Sequence, residues 1–314
     1  MVLEKGLAKA SEEKKCDFCG KFASHIYYMG EYPICKCSGC GTGFVYPMPD
    51  SSVLEKMYKG FLPNLDASRQ GIYKEAVNKI IFQIGITPGK DYRMLDIGGG
   101  GGFFVKAFEE LGYGQGTYVD LDPYSCRFAR EELGLEQVYN CNAENVREYT
   151  TQKYDFILCR HLIEHLVEPT LFIERVFDNL TTHGIFLLQF PNGDSLEYLP
   201  YIRSNLRKRL SSIRQSNEFS KLRTIYIVLS GGMLHGMDPP RHLWAITPKG
   251  IRQWASQRGI WCTTFTRTLG DPAFSPHYKS DSSFSARISD FLGQRVMSRV
   301  RGGTHLVAIL KRES

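Results

Sequence analysis

The sequence predicts an α/β chain in which a doubly wound, seven-stranded sheet is covered by helices on both faces and preceded by a small cysteine-punctuated domain. Three observations carry that expectation. From Tyr92 onward, short apolar runs alternate with amphipathic stretches of helical length, the pattern of βαβ units and a mostly parallel sheet. The first of those runs leads into five consecutive glycines, "MLDIGGGGGFF" at 94–104, bare backbone of the kind that lets a ligand approach closely. Finally, Cys16, Cys19, Cys35, Cys37 and Cys40 crowd into one short N-terminal stretch.

Taken in order, residues 1–50 form the cysteine domain, which closes with "GFVYPMPD". Cys16-x2-Cys19 followed by Cys37-x2-Cys40 is the spacing of a four-thiolate zinc ribbon, with each pair forming a knuckle that presents two sulfurs. Gly20 and Gly41 permit the knuckle turns, and Cys35 is expected to be a bystander. Such a domain is too small to fold on its core alone, so the metal acts as a staple. Residues 51–90 read as a helical linker, with a Ser cap and Glu55 opening "SSVLEKMYKG" and a second helix stopped by Pro88 and Gly89.

Residues 91–314 supply the seven strands. "YRMLDI", "GTYVD", "EQVYN", "YDFILCR" and "GIFLLQF" are the first five; "WCTTFTRT" and "THLVAILKR" are the last two. Between them lie the helices "FFVKAFEELGY", closed by Gly112, "PYSCRFAREELG", opened by Pro123 and closed by Gly134, "PTLFIERVFDNL" and "TPKGIRQWASQRG". An addition at about 194–238 interrupts the pattern. It carries a basic amphipathic helix at 199–214, and the stretch from Leu196 to Tyr226 is net +5 within a chain of net +6. That helix either caps the domain or a partner subunit, or docks on an anionic membrane face or a phosphate-bearing substrate.

The 314 residues, 42% hydrophobic, support one large domain with additions or two unequal domains. No run approaches a membrane span of about 18 apolar residues, and the opening "MVLEKGLAKASEEKK" lacks a secretory h-region. A cytoplasmic protein is expected, peripheral to the inner membrane face if the basic helix docks there.

The glycine run separates two ligands. A dinucleotide fingerprint needs a third glycine where Phe103 or Phe104 stands, so that reading fails. The alternative register, Asp96-x-Gly98-x-Gly100-x-Gly102 with Asp120 ending the second strand, resembles motif I of class I S-adenosylmethionine-dependent methyltransferases. "YDFILCRHLIEHLVEPTLFIERVFDNLTTHGIFLLQFPN" and "PPRHLWAITPKGIRQWASQRGI" are similar to later segments of that family's small-molecule members, and "CKCSGCGTGFVYPMPD" resembles the ribbon that precedes many sugar and natural-product methyltransferases.

The resemblance implies a Rossmann-like class I fold, S-adenosylmethionine as cofactor beside the ribbon zinc, and methyl transfer to oxygen or carbon of a small molecule such as a sugar or polysaccharide intermediate. It implies that Gly98, Gly100 and Gly102 line the methionine part of the cofactor, Asp96 sits under the loop and Asp120 holds the ribose. Asn142 and Ala143 of "CNAEN" fall in the adenine-contacting stretch, with Asn142 where an aspartate is usual, and Arg160 and His161 end the fourth strand facing cofactor and substrate.

The base stays open between His161, His165 and His242, the last beside Arg241 and the tandem prolines. Glu164 and His165 also read as loop structure. Ubiquinone-type O-methyltransferases resemble this loop with E-x-x-E-H and can bind a metal there, but His161 replaces the first acid. Two rivals remain: an RNA methyltransferase, disfavoured because Lys21 and Lys36 are the only lysines or arginines between the ribbon's outer cysteines, and a non-catalytic scaffold. The oligomeric state is left open.

Overall fold

The computed structural model describes residues 14–59, 65–89, 91–145, 152–195, 234–268, 271, 274 and 303–313. The basic helix expected at 199–214 lies outside them. No helix among the described residues is long and apolar enough to cross a membrane.

The seven-stranded sheet is present. Its strands are β5 (Tyr92–Ile97), β6 (Gly114–Asp120), β7 (Val138–Asn140), β8 (Tyr154–Arg160), β9 (Leu180–Pro191), β11 (Ile260–Arg267) and β12 (His305–Arg312), in the order β11-β12-β9-β8-β5-β6-β7. Pairings β5–β6, β5–β8, β6–β7 and β8–β9 are parallel, whereas β12 runs antiparallel to both β9 and β11. The chain leaves β5 in one direction to build β6 and β7 and returns to its other side for β8. The carboxyl end of β5 is therefore a topological switch point, where open α/β sheets bind ligands.

Period-two alternation divides the sheet between two cores. Met94, Tyr118, Phe156, Leu158, Leu187 and Val307 face α2 (Gln70–Ile84), α3 (Phe103–Glu110) and α4 (Pro123–Glu131). Leu95, Val119, Ile157, Cys159, Leu188 and Ala308 face α5 (Pro169–Phe177) and α6 (Pro248–Ser256). In α2 the buried residues Tyr73, Ala76, Val77, Ile80, Ile81 and Ile84 recur at helical spacing. Tyr73 stacks on Phe103 at 4.6 Å and meets Phe104 edge-on at 5.2 Å. The two phenylalanines that replace a dinucleotide loop's last glycine thus anchor α2 to the start of α3. Asp122 caps α4 through Ser125 N–H at 2.8 Å, and Thr247 caps α6 through Gly250 N–H at 3.0 Å. At α1 (Ser51–Lys59) the cap falls one residue earlier than the Ser expected: the Asp50 carboxylate accepts from Ser52 N–H at 2.8 Å.

The N-terminal sheet is antiparallel and joins β1 (Lys14–Lys15), β2 (Phe22–Met29), β3 (Tyr32–Cys37) and β4 (Gly43–Val45) to a fifth strand from far along the chain, β10 (Trp244–Ala245). Trp244 pairs with Phe44, and its ring lies 5.1 Å from Phe44 and 5.7 Å from Phe18. Its indole N–H donates to Leu166 O at 2.8 Å, just after β8. The ribbon core and one face of the large sheet are therefore one continuous cluster.

Candidate active site

At the end of β5 the glycine loop folds over Asp96, which is 1% exposed and whose Oδ2 has no hydrogen-bond partner. Burial pushes its carboxyl up to about 7, against the pull of Arg160 and with a further push from Asp120. A Cβ on Gly99 would lie 2.1 Å from Asp96 Oδ2. At Gly101 the backbone has φ +111, and a Cβ would lie 2.6 Å from Leu65. These two glycines, outside the alternate set, are the ones that let the loop lie flat on the carboxylate and against Leu65.

Asp120, at the end of β6, reaches back to the same loop. Its Oδ2 accepts from Gly100 N–H at 3.2 Å and from Tyr118 O–H at 2.9 Å; its Oδ1 accepts from Asp122 N–H at 3.0 Å. Tyr118 Oη in turn accepts from Gly101 N–H at 2.8 Å, so phenol and carboxylate together fix the loop backbone. Arg160 ends β8 with its guanidinium 3.9 Å over the Phe104 ring and a buried Nη1 without a partner. Asn142 Oδ1 accepts from Glu144 N–H at 2.9 Å, closing its own turn, and Ala143 packs on the core beside it.

Beyond Arg160 the chain turns sharply. His161 has φ +52, a left-handed conformation uncommon outside glycine and found where surroundings over-determine the backbone. Its N–H donates to Gln189 O at 2.7 Å. Burial first, then Arg160, pushes the His161 imidazole down, although one edge of the ring stays open, with 38% of the side chain exposed. Leu162 packs against the glycine loop 3.3 Å from where a Gly98 Cβ would sit. The 3₁₀ turn Ile163–His165 then buries Glu164 to 1% exposure.

Glu164, His165 and His242 converge, with one ligand atom from each lying within 4.8 Å of the others. The His165 and His242 rings meet edge-on at 4.7 Å. Burial raises the Glu164 carboxyl and lowers both imidazoles. His242 is held by a tight turn in which its N–H donates to Asp238 O at 2.9 Å. The next residue extends this link: Leu243 N–H donates to Glu164 O at 2.7 Å, and Leu243 O accepts from Val45 N–H of the ribbon at 3.0 Å. The ribbon is thus wired to the cluster through β10 and its preceding residue.

In the ribbon itself, Cys16, Cys19, Cys37 and Cys40 bring four buried sulfurs within 4.8 Å of one another, with Cys16 and Cys40 at 3.7 Å and Cys19 and Cys37 at 3.3 Å. This donor set suits a thiophilic tetrahedral ion. Cys35 is buried but stands outside the group.

The family model described as "Methyltransferase domain" matches residues 65–263, from the approach to α2 into the first half of β11. The chain belongs to this family. Curated relatives of the methyltransferase domain include ubiquinone biosynthesis O-methyltransferases from Parvibaculum lavamentivorans, 26% identical over 107 residues, and from Xanthomonas axonopodis pv. citri, 30% identical over 104 residues. Those matches cover 33% and 32% of this chain and 42% and 43% of the relatives, so the chain spans less than half the length of the curated relatives it matches. Among solved structures, a SAM-dependent methyltransferase from Archaeoglobus fulgidus aligns with TM-score 0.47 at 16% identity, over 84% of this chain and all of that one. The plantazolicin methyltransferase BamL aligns with TM-score 0.46 at 14% identity, over 85% of this chain and 92% of that one.

Of the residues singled out from the sequence, the methyltransferase domain places Asp96, Gly98, Gly100, Gly102, Asp120 and Arg160 around one loop, and His161, His165 and His242 along the adjoining edge. Asn142 and Ala143 lie past β7, with the Asn142 amide oxygen already engaged. Arg241 separates from its neighbour: its side chain is half exposed in an ion pair with Asp238 at 2.7 Å, and only its carbonyl faces His165. Sequence reading misses Tyr118 and Gln189. Tyr118 had a signal, since it stands two residues before Asp120 and so shares its face of the strand; Gln189, within an apolar run, had none.

Proposed function

We propose that this chain transfers a methyl group from S-adenosylmethionine to a hydroxyl of a small molecule. The observation that carries the reading is the pairing, at one edge of the sheet, of two buried polar groups, each with an unsatisfied atom, with an adjoining polar cluster. Asp96 Oδ2 and Arg160 Nη1 lack partners under and beside the glycine loop, and a ligand end bearing both an ammonium and a carboxylate complements them. The Asp120 carboxylate can accept from the hydroxyls of a ribose, and Gly100 offers open space for a close approach. When bound, the cofactor supplies a methyl on a sulfonium, whose carbon–sulfur electron pair leaves with the sulfur as a new carbon–oxygen bond forms.

The chain's own part is to position the acceptor in line, which accounts for most of the acceleration when the leaving group is already good. Glu164, His165 and His242 form the polar wall where the acceptor hydroxyl docks and loses its proton. His161 orients Glu164. The four ribbon cysteines hold zinc, which fixes β4 and through it Leu243 and His242. The acceptor class that fits the ribbon's likeness to sugar-type enzymes is a hydroxylated sugar or polysaccharide intermediate, and the names of the curated relatives support small-molecule O-methylation.

Transfer of labelled methyl to a panel of nucleotide sugars, phenols and tRNA tests the reading. Label is expected on a hydroxyl of a small molecule; label on tRNA alone, or on nothing in the presence of bound cofactor, would overturn it.

A further inference from the structure

Gln189 is 1% exposed in the apolar strand β9, with β8 and β12 on either side. A buried amide costs stability unless its hydrogen-bonding groups are used. Here Oε1 has no partner, but Nε2 has two: it donates to Phe274 O at 2.7 Å and lies 3.1 Å from His161 Nε2. The amide cannot be turned over, because its oxygen would then meet the Phe274 carbonyl oxygen at that same 2.7 Å. An amide nitrogen only donates, so His161 Nε2 is the acceptor and carries no proton.

The imidazole proton therefore sits on Nδ1, which donates to Glu164 Oε1 at 3.3 Å. A second proton, on Nε2, would aim two N–H groups at each other across 3.1 Å. The main chain adds a third constraint, since His161 N–H donates to Gln189 O at 2.7 Å beside the left-handed turn at φ +52. One glutamine thus grips His161 by both backbone and ring. The ionisable groups facing the ring are Arg160 from β8, Glu164 from the 3₁₀ turn and His305 from β12, its ring 5.1 Å away. Glu164 favours an imidazolium, but burial first and Arg160 next push the imidazole down.

We propose that Gln189 is a positioning residue that locks His161 as the neutral tautomer protonated on Nδ1, aims that proton at Glu164, and so withdraws His161 from acid–base chemistry. A histidine free in water exchanges tautomers and takes up a proton near neutrality. His161 does neither, because each ring nitrogen already has a partner of fixed polarity. Its place at the end of β8 is that of an orienting group for Glu164, set from the neighbouring strand.

The consequence for catalysis rests on the proposed methyl transfer. If His161 takes no proton, the pH profile of kcat contains no ionisation of its ring. His161→Asn is then expected to lower kcat while leaving the midpoint of the profile in place. Disappearance of that midpoint in His161→Asn would make His161 the base and overturn the lock.

Nitrogen-15 NMR of the full chain tests the lock without reference to catalysis, the His161 ring being assigned among the eight histidines by its loss in His161→Asn. The parent ring is expected to show a protonated Nδ1 and a bare Nε2, unchanged between about pH 5 and pH 8. Gln189→Met keeps the length of the side chain but removes both donors, and its His161 is expected to exchange tautomers or to titrate in that window. Gln189→Glu presents an acceptor instead, and its His161 is expected to carry the proton on Nε2. Retained S-adenosylmethionine binding marks each variant as folded. A parent ring protonated on Nε2, a parent ring that titrates in the window, or an unchanged pattern in both folded variants would overturn the lock. A parent chain with the expected ring pattern but no methyl transfer to any acceptor would support the lock and count against the proposed reaction.

Discussion

Cys37→Ser is expected to empty the ribbon of metal and to unfold it as a unit. The ribbon's buried side chains are few, chiefly Phe18, Tyr27, Ile34, Phe44 and Val45 beside the cysteines. Structural zinc contributes about 10–16 kcal/mol of apparent binding free energy to such a fold, comparable with the total stability of a domain, about 5–15 kcal/mol. The loss does not stop at Cys37. Phe44 pairs with Trp244, and Val45 N–H is held by Leu243 O, so β10 and the turn that presents His242 lose their support too. Elemental analysis should fall from one ribbon ion per chain to none, with a separate low-temperature unfolding step. A variant that melts like the parent and keeps its metal would refute the staple.

Gly99→Ala is expected to be more damaging than Gly100→Ala, the reverse of what the alternating glycine pattern suggests. At Gly99 the new methyl would overlap the buried Asp96 carboxylate, 2.1 Å away. Asp96 is short, buried and fixed in a central strand, so either the loop or the strand must move, at a cost towards the upper end of the about 1–3 kcal/mol typical of overpacking. Gly100 has φ +58 and nothing within 4 Å of a Cβ, so alanine there meets only the left-handed backbone penalty of about 1–2 kcal/mol. Urea unfolding of the two variants should rank them in that order, with cofactor affinity lost in Gly99→Ala. Equal stabilities would mean that the loop does not rest on Asp96.

The large sheet was legible because its strands are apolar runs of strand length separated by helices with capping residues at both ends, Pro123 and Gly134 being the clearest pair. The four cysteines were legible because two C-x2-C knuckles at that separation have few other uses. Strand β10 was not. Two residues, Trp244 and Ala245, pair with Phe44 and Gly43 some two hundred positions away, and no local pattern marks them.

The polar cluster was half legible. Glu164 and His165 are neighbours in sequence, but the third member, His242, joins them only through the tertiary path from the ribbon. His161 looked like a base from its place at the end of β8; its two ring nitrogens face Glu164 and Gln189 instead, and Gln189 lies on another strand. Gly99 and Gly101 had no evident purpose until the positions of Asp96 and Leu65 were known.

Calorimetric titration of the full chain with S-adenosylmethionine, beside the same titration of Asp120→Ala, tests the central claim most directly. One site per chain is expected, weakened about a hundredfold or more in the variant by the loss of charge-assisted hydrogen bonds to the ribose, together worth about 3 kcal/mol. No binding by the parent chain, or equal binding by both, would contradict the assignment of this loop and carboxylate to the cofactor.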